Sequence, residues 1–119
     1  MRIAIAYDNG NIFNSFEKTK TFKIVDESKG ILLGTSMLEV EGNDFDSLIG
    51  TLYKNCVDAV ICNSIEKNTI KSLTDIKIKI VSNQTGNVDD IVKKFLNKEI
   101  KYTYVNSIQL YINSGNDDK

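Results

Sequence analysis

The chain has 119 residues, which fits one domain large enough to bury a core without disulfides or a structural metal. Its formal net charge of -1 gives no electrostatic basis for binding nucleic acid or an anionic membrane surface, so we expect neither partner. The chain contains no His, which removes the commonest general base and the commonest metal ligand. Nucleophile pairs of the Ser-His and Cys-His types are therefore excluded, and we expect no enzyme.

The sequence predicts a cytoplasmic protein. No apolar run approaches the roughly 20 residues of a membrane span, and the first residues lead into a strand pattern rather than a signal peptide. The two cysteines are Cys56 and Cys62. If the segment between them is extended, their Cα atoms lie roughly 20 Å apart, which is too far for a disulfide. Two free thiols fit a reducing compartment.

The first half of the chain predicts an antiparallel meander. Arg2 to Tyr7 is an apolar strand, and Thr21 to Asp26 alternates apolar and polar residues as a second strand does. Glu27 to Gly30 predicts a hairpin connection to a third strand. One face of that third strand would carry Ile31, Leu33, Thr35 and Met37.

The second half predicts strand-helix units around a parallel sheet. Helical spacing indicates three helices, whose predicted N-caps are Asn43 or Asp44, then Asn63 or Ser64, then Asn87. The apolar run Asp58 to Cys62 is unbroken, which is typical of a central parallel strand covered on both faces. Lys77 to Val81 is the next strand.

The C-terminal residues are less regular. Tyr102 to Ile112 alternates in a way that favours one edge strand, although some of its apolar residues also suit a helical face. An apolar edge strand usually needs covering, so the tail is a candidate for pairing with a second subunit. We therefore divide the chain into a domain at residues 1–97 and an extension at 98–119, with a frayed end from Asn113 to Lys119.

Function is expected first at the carboxyl ends of the parallel strands, where ligands bind in open α/β sheets. Cys62, Asn63 and Ser64 follow the central strand. The turn after the first strand is Asp8-Asn9-Gly10-Asn11, and the turn before the third helix contains Thr85-Gly86-Asn87.

Several stretches together resemble one known family, and the similarity covers about residues 1 to 97. They are Met1 to Gly10, Phe16, Phe22 to Asp26, Val57 to Cys62, Ile78 to Val81 and Gly86 to Val92. This pattern resembles the dinitrogenase iron-molybdenum cofactor-binding proteins. The resemblance implies a ribonuclease H-like, three-layer α/β fold with about three helices and a mixed five-stranded sheet, in which an antiparallel meander is extended by two parallel strands. It also implies non-catalytic carriage of an iron-molybdenum or related metal-sulfur cluster between a donor and an acceptor protein.

The resemblance also implies a binding site. Family members commonly carry a His-Phe-Gly-Arg-like stretch, and the matching residues here are Ser15-Phe16-Glu17-Lys18, so Ser15 stands at the His position. Cys62 is then the predicted metal ligand, because it is the thiol at the carboxyl edge. A second copy in a dimer, or backbone amides and Lys18, would complete the contacts. The full predicted set is Asp8, Asn9, Gly10, Ser15, Phe16, Lys18, Cys62, Asn63, Ser64, Thr85, Gly86 and Asn87.

Each of these residues also has a structural interpretation. Cys62 and Phe16 are candidates for the core, and Asp8 for stabilising its own turn. The polar turns at Asn63-Ser64 and Thr85-Gly86-Asn87 are candidates for helix caps.

Three other functions compete with cluster carriage. The first is a family relative that has lost the cluster and acts as a dimerising interaction module. The second is a two-metal nuclease, which would have to gather Asp8, Asp44, Asp46 and Asp58. The third is a flavodoxin-like nucleotide binder, which the sequence disfavours because no glycine-rich turn opens a helix after the first strand.

Overall fold

A computed structural model describes residues 1–105 together with Ile108 and Gln109. Its strands are β1 (Arg2–Asp8), β2 (Asn11–Ile12), β3 (Thr21–Ser28), β4 (Ile31–Glu39), β5 (Ala59–Ile61), β6 (Lys79–Val81), β7 (Tyr104–Val105) and β8 (Ile108–Gln109). Its helices are α1 (Phe45–Lys54), α2 (Lys67–Asp75) and α3 (Val88–Leu96), and a single 3-10 turn spans Phe16–Lys18. None of the described helices is long and apolar enough to cross a membrane.

The strands form one mixed sheet in the order β4-β3-β1-β5-β6-β7-β8, with β2 paired to β1. Strands β4, β3 and β1 are antiparallel, whereas β1, β5 and β6 are parallel. The predicted α/β fold, with a meander extended by two parallel strands, is confirmed. The predicted count of five strands is wrong, because β2, β7 and β8 are added. Each has two residues, which is too short for a periodic pattern in the sequence.

The sheet lies between two layers of helices, so the predicted three layers and three helices are confirmed. On one face, α1 and α2 bury Leu48, Leu52, Ile70 and Leu73 against the sheet. On the other face, α3 buries Val88 and Ile91. Strands β1, β5 and β6 contribute to both clusters, as expected for central strands covered on both sides.

Two of the predicted helix starts are confirmed and one is wrong. The Asp44 side chain accepts a hydrogen bond from the Ser47 amide at 2.8 Å, and the Asn87 side chain accepts one from the Asp90 amide at 3.1 Å. Helix α2 has Glu66 as its N-cap, with no side-chain capping bond. Ser64 cannot cap this helix because it precedes that N-cap, and its hydroxyl donates to a loop carbonyl instead.

The predicted single strand in the tail is wrong where the structure describes it. Tyr104–Val105 pairs antiparallel with β6 on one side and with Ile108–Gln109 on the other, so the described part forms two short strands. The rest of the predicted strand and the predicted frayed end lie outside the described residues. The described part of the extension joins the same sheet as residues 1–97.

The third predicted strand is present as β4, but its predicted face is interrupted. The pairing register shifts between Asp26 and Glu27, where Gly34 and Leu32 are the successive partners on β4. Leu33 is therefore an extra residue at a β-bulge, which breaks the alternation expected from Ile31 to Met37. All residues from Ile31 to Met37 are exposed.

Candidate functional site

The loops that follow β1, β5 and β6 lie at one edge of the sheet, because parallel strands end on the same side. Two backbone hydrogen bonds join the turn after β1 to the turn before α3. The Ile12 amide donates to the Gly86 carbonyl and the Val88 amide donates to the Gly10 carbonyl, both at 2.9 Å. The structure thus brings two of the predicted loops together.

A second connection joins the loop around Ser15 to the segment after β5. The Phe16 amide donates to the Ser64 carbonyl at 3.1 Å, and the Ser64 hydroxyl donates to the Asn14 carbonyl at 2.7 Å. Ser15 and Ser64 also form an isolated parallel β-bridge. Ser64 therefore fixes the distance between two loops, a role that its position in the sequence does not reveal.

The segment after β5 is in turn held to the segment after β6. The Asn83 amide donates to the Asn63 carbonyl at 2.9 Å, and the Gln84 amide donates to the Cys62 carbonyl at 3.0 Å. Thr85 and Lys18 are both exposed. Thr85 lies in the turn before α3, and Lys18 ends the 3-10 turn that follows Ser15.

Cys62 lies in the core. Its side chain is 0% exposed and belongs to the cluster that contains Phe16 and Phe22. Burial, and secondarily the negative charge of Glu17, raises the pKa of the Cys62 thiol far above its ordinary value. The thiolate needed for metal ligation is strongly disfavoured in this conformation, and the environment matches the structural interpretation of Cys62 as a small core residue. Phe16 is also a core residue, with 0% exposure.

The first turn of α3 has few free amides for an anion. The Val88 amide donates to the Gly10 carbonyl. The Asp90 amide donates to the Asn87 side chain, and the Ile91 amide donates to the Asn87 carbonyl. Asp89 and Asp90 add negative charge in the same turn. The structural interpretation of Asn87 as a cap therefore fits better than anion binding at this position.

A polar hollow of about 330 Å³ opens beside the turn after β1. Its lining residues are Asp8, Asn9, Asn11, Ile12, Phe13 and Asn14. Residues 1–105 supply no hydrogen bond to the side-chain amides of Asn9, Asn11 and Asn14, so three carboxamides are available to a ligand. The backbone reverses at Asn9 and Gly10, whose φ angles are 48° and 87°.

Asn14 was not among the predicted site residues, and Glu17 was included only as a member of the stretch from Ser15 to Lys18. The Glu17 carboxylate accepts a hydrogen bond from the Glu66 amide at 2.9 Å, so it occupies the amino end of α2. Asn14 lines the hollow, and its backbone carbonyl accepts a hydrogen bond from the Ser64 hydroxyl. Spacing along the chain could not identify Glu17, because its partner is 49 residues away. The sequence places Asn14 in a loop, but nothing there distinguishes it from any other loop Asn.

The acidic residues that a nuclease would need are separated. Asp8 ends β1, whereas Asp58 accepts a hydrogen bond at 2.7 Å from the amide of Arg2 at the opposite end of that strand. In the part of the chain that the structure describes, no three His, Cys, Asp or Glu residues are grouped closely enough to hold a metal ion. The side chains at the carboxyl edge thus do not form a ligand set for direct metal coordination.

Comparisons with known proteins agree with this fold. The chain is 29% identical over 100 residues to the protein MJ0327 of Methanocaldococcus jannaschii, and the match covers 84% of this chain and 91% of that protein. The crystal structure of the same protein superposes with a TM-score of 0.72 at 28% identity, over 86% of this chain and 93% of that one.

Two more distant structures share the fold. The crystal structure of PH0822 superposes with a TM-score of 0.79 at 21% identity, covering 87% of this chain and 96% of that one. The apo form of the orange protein from Desulfovibrio gigas superposes with a TM-score of 0.73 at 16% identity, covering 85% and 91%.

A family model described as dinitrogenase iron-molybdenum cofactor matches residues 1–98 of this chain. That match covers all three helices and every strand of the sheet except β7 and β8. The chain therefore belongs to the dinitrogenase iron-molybdenum cofactor family.

Proposed function

We propose that this protein is a non-catalytic binding protein for a metal-sulfur cargo, and that it holds the cargo at the carboxyl edge by hydrogen bonds. Family membership supports cargo of the iron-molybdenum type or a precursor of it. The observation that carries the proposal is the hollow beside β1, whose three Asn side chains have no partner within residues 1–105. Its volume of about 330 Å³ is at the small end of ligand pockets.

Hydrogen bonding is favoured over direct ligation because of the side chains present. Cys62 is buried with a raised pKa, and Ser15 offers a hydroxyl, which is a poor ligand for soft transition metals. Carboxamide N–H groups, by contrast, donate hydrogen bonds to sulfide or to a carboxylate of the cargo. Asp8 is exposed at the rim, where water and salt screen its charge. Such contacts predict weak, reversible binding suited to transfer between a donor and an acceptor protein.

The test is anaerobic purification from a host that makes metal-sulfur clusters, followed by absorption spectra and metal analysis. We expect the native chain to carry iron, and Cys62→Ser to carry the same amount when it is folded. A combined Asn11→Ala and Asn14→Ala variant should lose most of the metal, because it removes two of the free donors. Asn68→Ala is the matched control, since Asn68 is exposed on α2 and belongs to no part of the hollow.

Two results would contradict the proposal. A native protein that is colourless and metal-free after purification from that host would reject cargo carriage. Loss of metal from folded Cys62→Ser, with the Asn variant unchanged, would replace hydrogen bonding by thiolate ligation.

A second candidate function is an interaction module that has no cargo. The observation in its favour is the exposed apolar surface of β4, on which Ile31 is 65% exposed and Leu33 is 67% exposed. Exposed apolar surface that is continuous along one element is typical of protein–protein contacts.

A further inference from the structure

Strand β4 carries four of the seven large hydrophobic residues that are exposed in the described chain. Strand β4 has nine residues and pairs with β3 along one side, and no other strand among the described residues lies on its outer side. Four of its side chains are large, apolar and about half exposed or more: Ile31 at 65%, Leu32 at 48%, Leu33 at 67% and Met37 at 49%. None of these four belongs to either core cluster.

Strand β4 lacks most of the features that prevent edge strands from pairing. Exposed edges are normally protected by charged residues, by Pro or by short length. The eight residues from Ile31 to Leu38 contain neither a charged residue nor Pro, and the first charge on the strand is its last residue, Glu39. The bulge at Leu33 is the one protective device present, and it lies near the hairpin end.

The outer edge also offers free backbone groups. The Val40 amide donates to the Lys20 carbonyl at 2.9 Å, which continues the β3–β4 ladder beyond Glu39. Because the direction of backbone hydrogen bonding alternates along an antiparallel strand, Ser36 and Leu38 bond toward β3. Thr35, Met37 and Glu39 therefore direct their N–H and C=O groups outward, toward a strand that would pair at this edge.

We propose that this edge forms a homodimer in which β4 pairs antiparallel with β4 of a second copy, about a two-fold axis at Thr35. In that register Leu33 lies opposite the partner's Met37, and by symmetry the contact occurs twice. An axis at Met37 would instead place Leu33 opposite the partner's Glu41, and a charged side chain would not pack against Leu33. We choose the Thr35 register because it places two large apolar side chains of β4 opposite each other near the centre of the strand.

The proposed pairing joins the two sheets into one continuous sheet. This inference rests on the second candidate function and needs no cargo. A contact centred on one pair of strands is small compared with permanent interfaces, so we expect a monomer–dimer equilibrium that depends on concentration.

Sedimentation velocity on metal-free full-length protein over a wide concentration range tests the proposal. We expect the native chain to shift from monomer to dimer as its concentration rises. Leu33→Lys and Met37→Glu should each remain monomeric at concentrations where the native chain is mostly dimeric. The double variant should dimerise again, because each new Lys would face a new Glu across the two-fold axis.

Tyr53→Lys is the matched control, because Tyr53 is 66% exposed but lies on α1, away from the edge. This control should dimerise as the native chain does. A native chain that is monomeric at every concentration would overturn the proposal, as would a dimer that survives both single substitutions. A monomeric double variant would overturn the Thr35 register. Since the protein in this test is metal-free, these outcomes are independent of cargo binding.

Discussion

At the scale of single residues, the two cysteines have opposite environments. Cys56 is exposed after α1, while Cys62 directly follows β5 and is buried in the core. Cys56 also has a φ of 59°, a left-handed conformation that favours Gly. Both thiols are free, as predicted from their separation along the chain.

The environment of Cys62 predicts its reactivity. In native protein at neutral pH, we expect a thiol reagent to label Cys56 rapidly and Cys62 at least about 100-fold more slowly, because burial prevents access and keeps the thiol protonated. Mass spectrometry of timed samples measures the two rates. In denaturant the two rates should become similar, which is the control. Rapid labelling of Cys62 in folded protein would mean that its thiol is available at the carboxyl edge.

The predicted site residues also differ in how far along the chain their contact partners lie. Asp8, Asn9 and Gly10 form the turn after β1, and Asp8 and Asn9 also line the hollow. Ser64 and Glu17 instead make contacts with residues about 50 positions away, at Asn14 and Glu66 respectively. Such contacts depend on how the elements pack, so no local pattern indicates them.

At the scale of elements, the N-caps of α1 and α3 are the local features on which helix starts depend. We expect Asp44→Ala and Asn87→Ala each to lower the free energy of unfolding by about 1 kcal/mol, because each removes a side-chain bond to a first-turn amide. Urea denaturation measures the change. Asn43→Ala is the control, since the Asn43 side chain caps no helix and accepts one bond from exposed Lys20. An equal loss in the control would contradict the assignment of the caps.

The sheet shows why some elements were predictable and others were not. The long strands β1 and β3 carry enough residues for their apolar pattern to be recognised. The pairs Asn11–Ile12 and Tyr104–Val105 are strands only because a partner lies beside them. The bulge on β4 likewise arises from pairing with β3. From the sequence alone, the side chains of this strand are expected to alternate between its two faces without interruption.

At the scale of the whole molecule, the chain beyond the family match is attached to the core. The Thr103 amide donates to the Ile80 carbonyl at 2.7 Å, and its hydroxyl accepts a bond from the Ser82 amide at 3.0 Å. Tyr102 packs edge-on against Phe95, with ring centroids 6.0 Å apart. Residues 102–105 thus extend the sheet beside β6.

These contacts predict how the chain tolerates truncation. A chain ending at residue 97 should unfold with a free energy about 3 kcal/mol lower than the full chain, because it loses the two bonds of Thr103 and the burial of Tyr102. A chain ending at residue 105 keeps both and should lose much less. Urea denaturation of the three chains makes the comparison. Equal stability of the chains ending at 97 and 105 would show that the extension is not part of the folded unit.

The sequence by itself predicted the α/β class, the three helices, the caps of two of them, and an antiparallel meander followed by parallel strand-helix units. Those features follow from local periodicity and from hydrogen bonds between residues three positions apart. Only the tertiary structure decided that Cys62 is sealed in the core, that Glu17 binds the start of α2 and that β4 is left as an exposed apolar edge. The reason is physical: burial and edge position depend on which elements pack against each other, and a residue's neighbours in space are mostly distant from it in the chain.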